Sequence, residues 1–432
     1  MKMIRKVVIL STLLLFGYIA KAQNIDTVGW KNIFTDSILV KMIDRAIVCN
    51  NDLRVAHLNV LQSQISLNVS RRTLLPSLNI GIENTATKSE NISQLSYNIP
   101  LTMQWEIDLS KRLRNERLVA EAIYWETQEI ERSIKLQVVA SVVAHYYTLI
   151  MLDEQLSIIR QSIDINQQTI EVLESMKEVG EQNEVALSLA RISYFNTVSQ
   201  EKSLLQQISI VENTLSVLLG EKVKNIPRSK LNEVSININY ETSYPLSVLA
   251  ERPDVKATEH ALKRMTAQTA IARSAFYPSL TISASAGWTN NIGEVINPQA
   301  ILFNAIGSLV QPLFNKGQNI ANLSIAKIQQ EQAVIAFNHS LLVAGTELYD
   351  ALNICKLSAE RCNIRQQEIK IAEYACKISL ELMKNSSNTY LEVLSAQTAL
   401  LQSRLAYTTD WMDNIQGMID LYKALGGNIK TL

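Results

Sequence analysis

The sequence predicts an α+β membrane protein, a strand-built barrel continued into very long coiled-coil helices, with this plan written twice along the chain. Three observations predict it. Arg71-Arg72-Thr73-Leu74-Leu75-Pro76-Ser77-Leu78-Asn79-Ile80 returns as Arg273-Ser274-Ala275-Phe276-Tyr277-Pro278-Ser279-Leu280-Thr281-Ile282. From Leu95 to Asp108 apolar and polar residues alternate without a break. From about Lys111 to Met176 neither proline nor glycine occurs, and as one helix that stretch is roughly 100 Å long. Ser77 and Ser279 lie 279 − 77 = 202 positions apart, and Gly220 and Gly426 lie 426 − 220 = 206 apart. The register hardly drifts over each half, as an internal duplication requires.

The amino terminus sets the compartment. Lys2, Arg5 and Lys6 precede the apolar run Val7 to Ile19, which Ala20-Lys21-Ala22 closes with small residues. This is the pattern of a cleaved signal peptide over 1–22, leaving Gln23 as the new amino terminus. Beyond it no run of eighteen or more uninterrupted apolar residues occurs, so a membrane span must be made of strands. The 41 basic and 41 acidic residues cancel, which removes the net-charge case for nucleic acid or an acidic surface. Cys49, Cys355, Cys362 and Cys376 have no CxxC spacing and read as small core residues. His57, His145, His260 and His339 have no metal-ligand spacing. No cofactor or metal is expected, and no nucleophile or acid–base constellation points to an enzyme.

Taken in order, a helix pattern begins near Asp36 and resumes after Asn50-Asn51 with Asp52 as first-turn acid. It runs into Pro76, where proline biases the preceding residue out of the helical region. Leu78, Ile80 and Ile82 alternate with Asn79, Gly81 and Glu83 as a strand, followed by an expected polar loop over Thr85 to Ser93. In the next strand Leu95, Tyr97, Ile99, Leu101, Met103, Trp105 and Ile107 take one side. That is a barrel strand with lipid outside and water inside, Tyr97 and Trp105 suiting the two interfaces. The long helix follows, with Leu136, Val139, Val143, Tyr146 and Ile150 spaced as a coiled-coil seam. A break around Gly180 separates it from a helix over about Glu184 to Leu219, which Gly220 ends as a left-handed cap.

An irregular connector over 221–245 leads to the second copy. Pro253 suits the first helical position and Asp254 complements the helix dipole. After Pro278 a strand alternates to Thr289, a return strand spans Ile301 to Val310, and a second very long helix runs from about Gln318 to Met383. Leu341, Leu348, Cys355, Cys362, Ile369, Cys376 and Met383 recur every seven residues along it as one packing stripe. A break at Lys384 to Asn388 precedes a last helix, capped by Gly426-Gly427. The chain thus divides into repeats over 23–220 and 246–427 with a short tail over 428–432. Two strands per half cannot close a barrel, which needs about eight. Because backbone groups in lipid must all be paired, several copies must pool their strands.

Several stretches carry a family resemblance over essentially the whole mature length. They are Asn51-Asp52-Leu53, the two Pro-Ser-Leu strand entries at Pro76 and Pro278, Leu249-Ala250-Glu251-Arg252-Pro253-Asp254-Val255, and Tyr390-Leu391-Glu392-Val393-Leu394-Ser395-Ala396-Gln397. The chain resembles the outer-membrane factor family, the TolC-like exit ducts of tripartite efflux and secretion systems. Its Arg252-Pro253-Asp254 motif is similar to the branch that works with resistance-nodulation-division pumps, without that branch's lipid-attachment cysteine.

The resemblance implies a homotrimer with a twelve-stranded barrel in the outer membrane and a periplasmic helical tunnel. It implies a passive duct, fed by an inner-membrane pump through a periplasmic adaptor, that opens when helix pairs untwist. It makes the breaks the tunnel's tips, with Gly180, Asn385, Ser386, Ser387 and Tyr390 as gating and adaptor-docking candidates. Where members of the family carry two acids past the second tip, this chain has Glu392 and Ser395. Glu392 is either a ring of acids at the pore constriction or an ordinary first-turn helix acid. A duct for an ABC-driven secretion system shares the architecture. A periplasmic coiled-coil scaffold without a pore leaves the strands unexplained.

Overall fold

The computed structural model describes residues 29–89, 92–180, 183–222, 225–234, 246–291, 301–384 and 390–427. The stretch expected as a signal peptide, Asn385, Ser386, Ser387, most of the connector and the tail over 428–432 lie outside the described residues. The helices are α1 (Gly29–Ile33), α2 (Ser37–Cys49), α3 (Asn51–Arg72), α4 (Arg112–Glu178), α5 (Glu184–Leu218), α6 (Pro253–Ser274), α7 (Gln318–Lys384) and α8 (Tyr390–Ala424). Between them run β1 (Ser77–Ile80), β2 (Glu83–Ser89), β3 (Ile92–Ile107), β4 (Ser279–Asn291) and β5 (Ile301–Val310). The duplication appears in the lengths. α3 and α6 are each 22 residues, α4 and α7 each 67, and α5 and α8 each 35.

Local chemistry sets the helix ends. Asp36, Asn50 and Asn183 each accept a hydrogen bond from the backbone N–H two or three residues on, at 2.8, 3.1 and 3.0 Å, satisfying donors that the first turn leaves orphaned. Pro253 occupies the first turn of α6, where its missing N–H costs nothing. Gly220 and Gly426 take φ of +64° and +66° past the ends of α5 and α8.

The strands form one antiparallel sheet, four strands wide, in the order β1/β2, β3, β4, β5. The polar loop expected over Thr85 to Ser93 is instead strand as far as Ser89, with Glu83 to Ser89 pairing Asn98 to Ile92. The alternation lapses there because ladder hydrogen bonds need no apolar side chains. β1 and β2 are two pieces of one edge, interrupted at Gly81-Ile82, where the Gly81 N–H donates to the Pro100 carbonyl at 3.0 Å. Pro100 sits opposite Gly287. A Cβ there would stand 2.6 Å from the Ile99 carbonyl oxygen, so only glycine lets the two strands close at that point.

The register separates two faces. Leu78, Ile80, Ile99, Leu101, Met103 and Trp105 share a side with Ile282, Ala284, Ala286, Trp288, Phe303 and Leu309. Ser77, Asn79, Asn98, Thr102, Gln104 and Glu106 share the other with Thr281, Ser283, Ser285, Asn304 and Ser308. Trp105 and the Ile99–Trp288 level are six residues apart, about 20 Å along the strand, close to the apolar band of an outer-membrane barrel. Among the described residues nothing covers this apolar face: Phe303 is 80% exposed.

Below the sheet, one core gathers Phe34, Leu39 and Ile43 around Val139, Val143, Tyr146 and Ile150 of α4, with Leu215, Val255, Cys355 and Tyr422. Each such side chain contributes about 1.5–3 kcal/mol on full burial. The most apolar stretch of α4 is half buried, and Val138 to Leu152 supply much of this core. The heptad stripe of α7 faces inward, Leu348, Cys355, Cys376 and Met383 being buried and Leu341, Cys362 and Ile369 half-buried. A second, smaller core lies at the far end of the long helices.

Candidate functional site

The polar face of the sheet carries hydroxyls and amides, with carboxylates, among the described residues, at Glu83 and Glu106. Glu106 is engaged by Arg112, whose Nη2 and Nε donate at 2.6 and 3.2 Å. Arg112 in turn reaches Glu116. The Glu106 hydrogen bond holds the Arg112 pKa above that of a free arginine, against the opposing effect of burial. Asp108 caps α4, accepting from the N–H groups of Leu113 and Arg114 at 3.0 and 3.1 Å. Both acids at the sheet-to-helix passage are thus turned to structural use.

At the opposite end the helices meet in hairpins. Gly180 takes φ +82°, and no heavy atom lies within 4 Å of where a Cβ would stand, so the backbone conformation alone asks for glycine. Lys177 pairs with Glu184 across the turn and depresses its pKa through that hydrogen bond. Arg191 reaches back to Glu174 at 2.8 Å. Tyr390, the docking candidate at the start of α8, is buried within the chain. Its ring, 3% exposed, sits in the apolar cluster with Leu173, Met176, Leu187, Met383 and Val393, and burial pushes its pKa up to about 12. Beside this cluster, Ile165, Thr169, Val172, Leu380 and Met383 line a cleft of about 350 Å³ between α4 and α7. Glu392 is exposed in the first turn of α8, and Ser395 is exposed on the next turn.

The motif residues Arg252, Pro253 and Asp254 make a joint midway along the molecule. Arg252 is 5% exposed. It donates to Asp254 at 3.0 and 2.7 Å and to Glu347 of α7 at 2.5 Å. Burial pushes Asp254 up, but the Arg252 hydrogen bonds and charge outweigh it and hold its carboxyl below the usual range. Gly426 packs against the same residues, with the Arg252 Cα 3.3 Å from its Cβ position. Pro76 and Pro278 sit at the strand entries, directly before β1 and β4.

Two groups that sequence reasoning missed complete this middle region. Arg228, in the irregular connector, forks onto Asp153 of α4 at 2.5 and 2.9 Å and onto Glu212 of α5 at 2.5 Å. Tyr146 donates to Asp36 at 2.5 Å and accepts from the Ser229 N–H at 3.1 Å. A lone arginine in a stretch without periodicity was the available signal. Its partners lie 75 and 16 residues away, which no local pattern reveals.

A sheet apolar on one face, polar on the other and, among the described residues, open at both edges, carried on helices that extend far below it, defines a wall segment of an outer-membrane channel. The chain belongs to the outer membrane efflux protein family, whose model matches residues 42–221 and 245–427. The cation efflux system protein CusC of Escherichia coli O6:H1 is 27% identical over 416 residues, covering 95% of this chain and 90% of that protein. The solvent efflux pump outer membrane protein SrpC of Pseudomonas putida is 25% identical, covering 92% and 87%. A crystal structure of CusC superposes with a TM-score of 0.87 at 26% identity, covering 93% of this chain and 94% of that one. The protein is an outer-membrane component of an efflux system, with its long helices extending into the periplasm.

Proposed function

We propose that three mature chains, beginning at Gln23, pool their sheets into one twelve-stranded barrel and act as the passive exit duct of a tripartite efflux pump. Each chain contributes two repeats, 23–220 and 246–427, joined by the connector 221–245 and followed by the tail 428–432. The observation that carries this is the sheet itself. Its apolar face belongs in lipid, yet among the described residues the β1/β2 and β5 edges are unpaired, and lipid leaves no water to satisfy those backbone groups. Edge-to-edge pairing of copies resolves both. The exposed stripe Ile328, Ile335, Leu342 and Tyr349 on α7, spaced every seven residues, offers neighbouring copies a helical seam below the barrel. Solutes move through this duct without bond chemistry.

The adaptor would engage the tips around Gly180 and the break at Lys384 to Asn388, and through it the inner-membrane pump, of the resistance-nodulation-division type that the Arg252-Pro253-Asp254 motif resembles. Relatives are named for cations in one case and solvents in another, and a lining of hydroxyls and amides suits both. Glu392 places one carboxylate per copy near the tip. The deciding experiment separates inner membrane, outer membrane and periplasm, then sizes the detergent-extracted species. A trimer confined to the outer membrane is expected, and a soluble periplasmic monomer sinks the duct. In single-channel recordings Glu392→Gln is expected to reduce cation preference; unchanged selectivity and unchanged pH dependence would return Glu392 to a helix-start role.

A further inference from the structure

The lower edge of the sheet brings together four segments far apart in sequence. Ser77 pairs with Gln104, Ile107 with Leu280, and Ser279 with Val310. The stretches over 71–77, 105–111, 273–279 and 311–317 therefore lie side by side as a collar between barrel and helices. Arg71, Arg72, Lys111, Arg273 and Lys316 are all exposed there. The collar's two acids are not available to balance them. Glu106 is held by Arg112, and Asp108, with a side chain 4% exposed, caps α4.

Apolar side chains stand exposed among these cations. Leu313 is 92% and Phe314 86% exposed, with Leu75, Leu109 and Tyr277 also open to solvent. Such exposure is costly in water, and the collar continues the apolar barrel face: Trp105, on that face, donates its Nε1–H to the Leu74 carbonyl at 2.9 Å. Apolar residues at a membrane edge, interleaved with cations and with the neighbouring acids engaged by Arg112 or as a cap, match a layer of phosphate headgroups over acyl chains.

We propose that this collar binds anionic phospholipid headgroups of the periplasmic leaflet. Leu313 and Phe314 enter the acyl boundary, while Arg71, Arg72, Lys111, Arg273 and Lys316 pair with phosphates, fixing the depth of the barrel. The chain's balanced net charge conceals this surface. The inference rests on the reading of the sheet as an outer-membrane barrel.

The test uses the full-length protein in detergent, offered phosphatidylglycerol and phosphatidylcholine in equal amounts, with retained lipid identified by native mass spectrometry. The comparison is a variant carrying Arg71→Gln, Arg72→Gln, Arg273→Gln and Lys316→Gln. Wild type is expected to retain phosphatidylglycerol preferentially, each removed cation lowering that preference by roughly fivefold at low salt, and added salt weakening it. Single-channel conductance of the same preparations reports whether the barrel is intact. Conducting channels with no anionic preference, or a variant that keeps the preference, overturn the collar and leave the duct standing. A preparation that forms no channels overturns the duct reading and the collar with it. If Leu313→Ser with Phe314→Ser splits the assembled species and leaves lipid retention unchanged, the patch belongs to a neighbouring copy and the collar is overturned.

Discussion

The two halves build the same joint with different chemistry. In the first half, Asn50 begins α3 and its Nδ2 donates to the Leu218 carbonyl at 3.3 Å, at the end of α5. In the second half, the matching residue is Arg252, held between Asp254 and Glu347. A glycine in the left-handed region closes each joint, Gly220 against Cys49 and Gly426 against Arg252 and Pro253. A duplicated backbone therefore tolerates a neutral clasp or a charged one, provided that the returning helix can end tightly against the departing one. The neutral joint depends on close approach, since a Cβ at Gly220 would stand 2.9 Å from the Cys49 carbonyl oxygen. The charged joint is looser, at 3.3 Å, and depends on its ions.

This difference can be broken from either side. Gly220→Val is expected to be the most damaging change, lowering stability by about 3 kcal/mol, because strain at positive φ adds to a backbone clash. Gly426→Val is expected to cost less. Thermal unfolding of the assembled protein, followed by its helical circular dichroism, compares the two, and equal losses would contradict the contrast. Arg252→Met should cost about 2–3 kcal/mol by removing hydrogen bonds to charged groups, whereas Asn50→Ala should cost about 1 kcal/mol, the value of a cap. The order of the glycine effects is thus the reverse of the order of the clasp effects.

Acid sharpens the same comparison. The Asp254 carboxyl is held below its ordinary 3.8 in the folded chain. Its contribution is therefore present above that value and is lost as pH falls through the depressed folded value. Hydrogen exchange at the start of α6 should accelerate there while the start of α3, clasped by Asn50, changes little. Similar acceleration at both would show that the charge plays no special part. At the tip, Gly180→Ala meets open space and should cost about 1 kcal/mol from φ alone, no more than the Asn50 cap; assembled mass should be unchanged.

The features legible in the chain share one property, that of being local or periodic. Pro76 and Pro278 announce strand entries because proline restricts its predecessor. Gly220 and Gly426 announce helix ends because few residues accept positive φ. The seven-residue recurrence from Leu341 to Met383 announces a packed stripe and explains the cysteines within it. The polar stretch over Thr85 to Ser89 reads as loop and folds as strand because its pairing is supplied by a partner, β3, whose contribution no alternation in β2 records. The resemblance makes Tyr390 a docking candidate, while the fold sets its ring in the apolar cluster at the tip.

The sequence by itself determined the duplication, the change of period from helix to strand, the positions of breaks and caps, and through the strand count the need for further copies. Those follow from backbone sterics and side-chain periodicity within a few turns of chain. Only the tertiary structure decided that Arg252 meets Glu347 across 95 positions, that Arg228 locks the connector onto α4 and α5, and that four separated segments gather their cations on one collar. Net charge, a sum over the chain, cannot record such gathering. Charge and hydrogen bonding act through distance in space, and the pairing of the strands sets those distances.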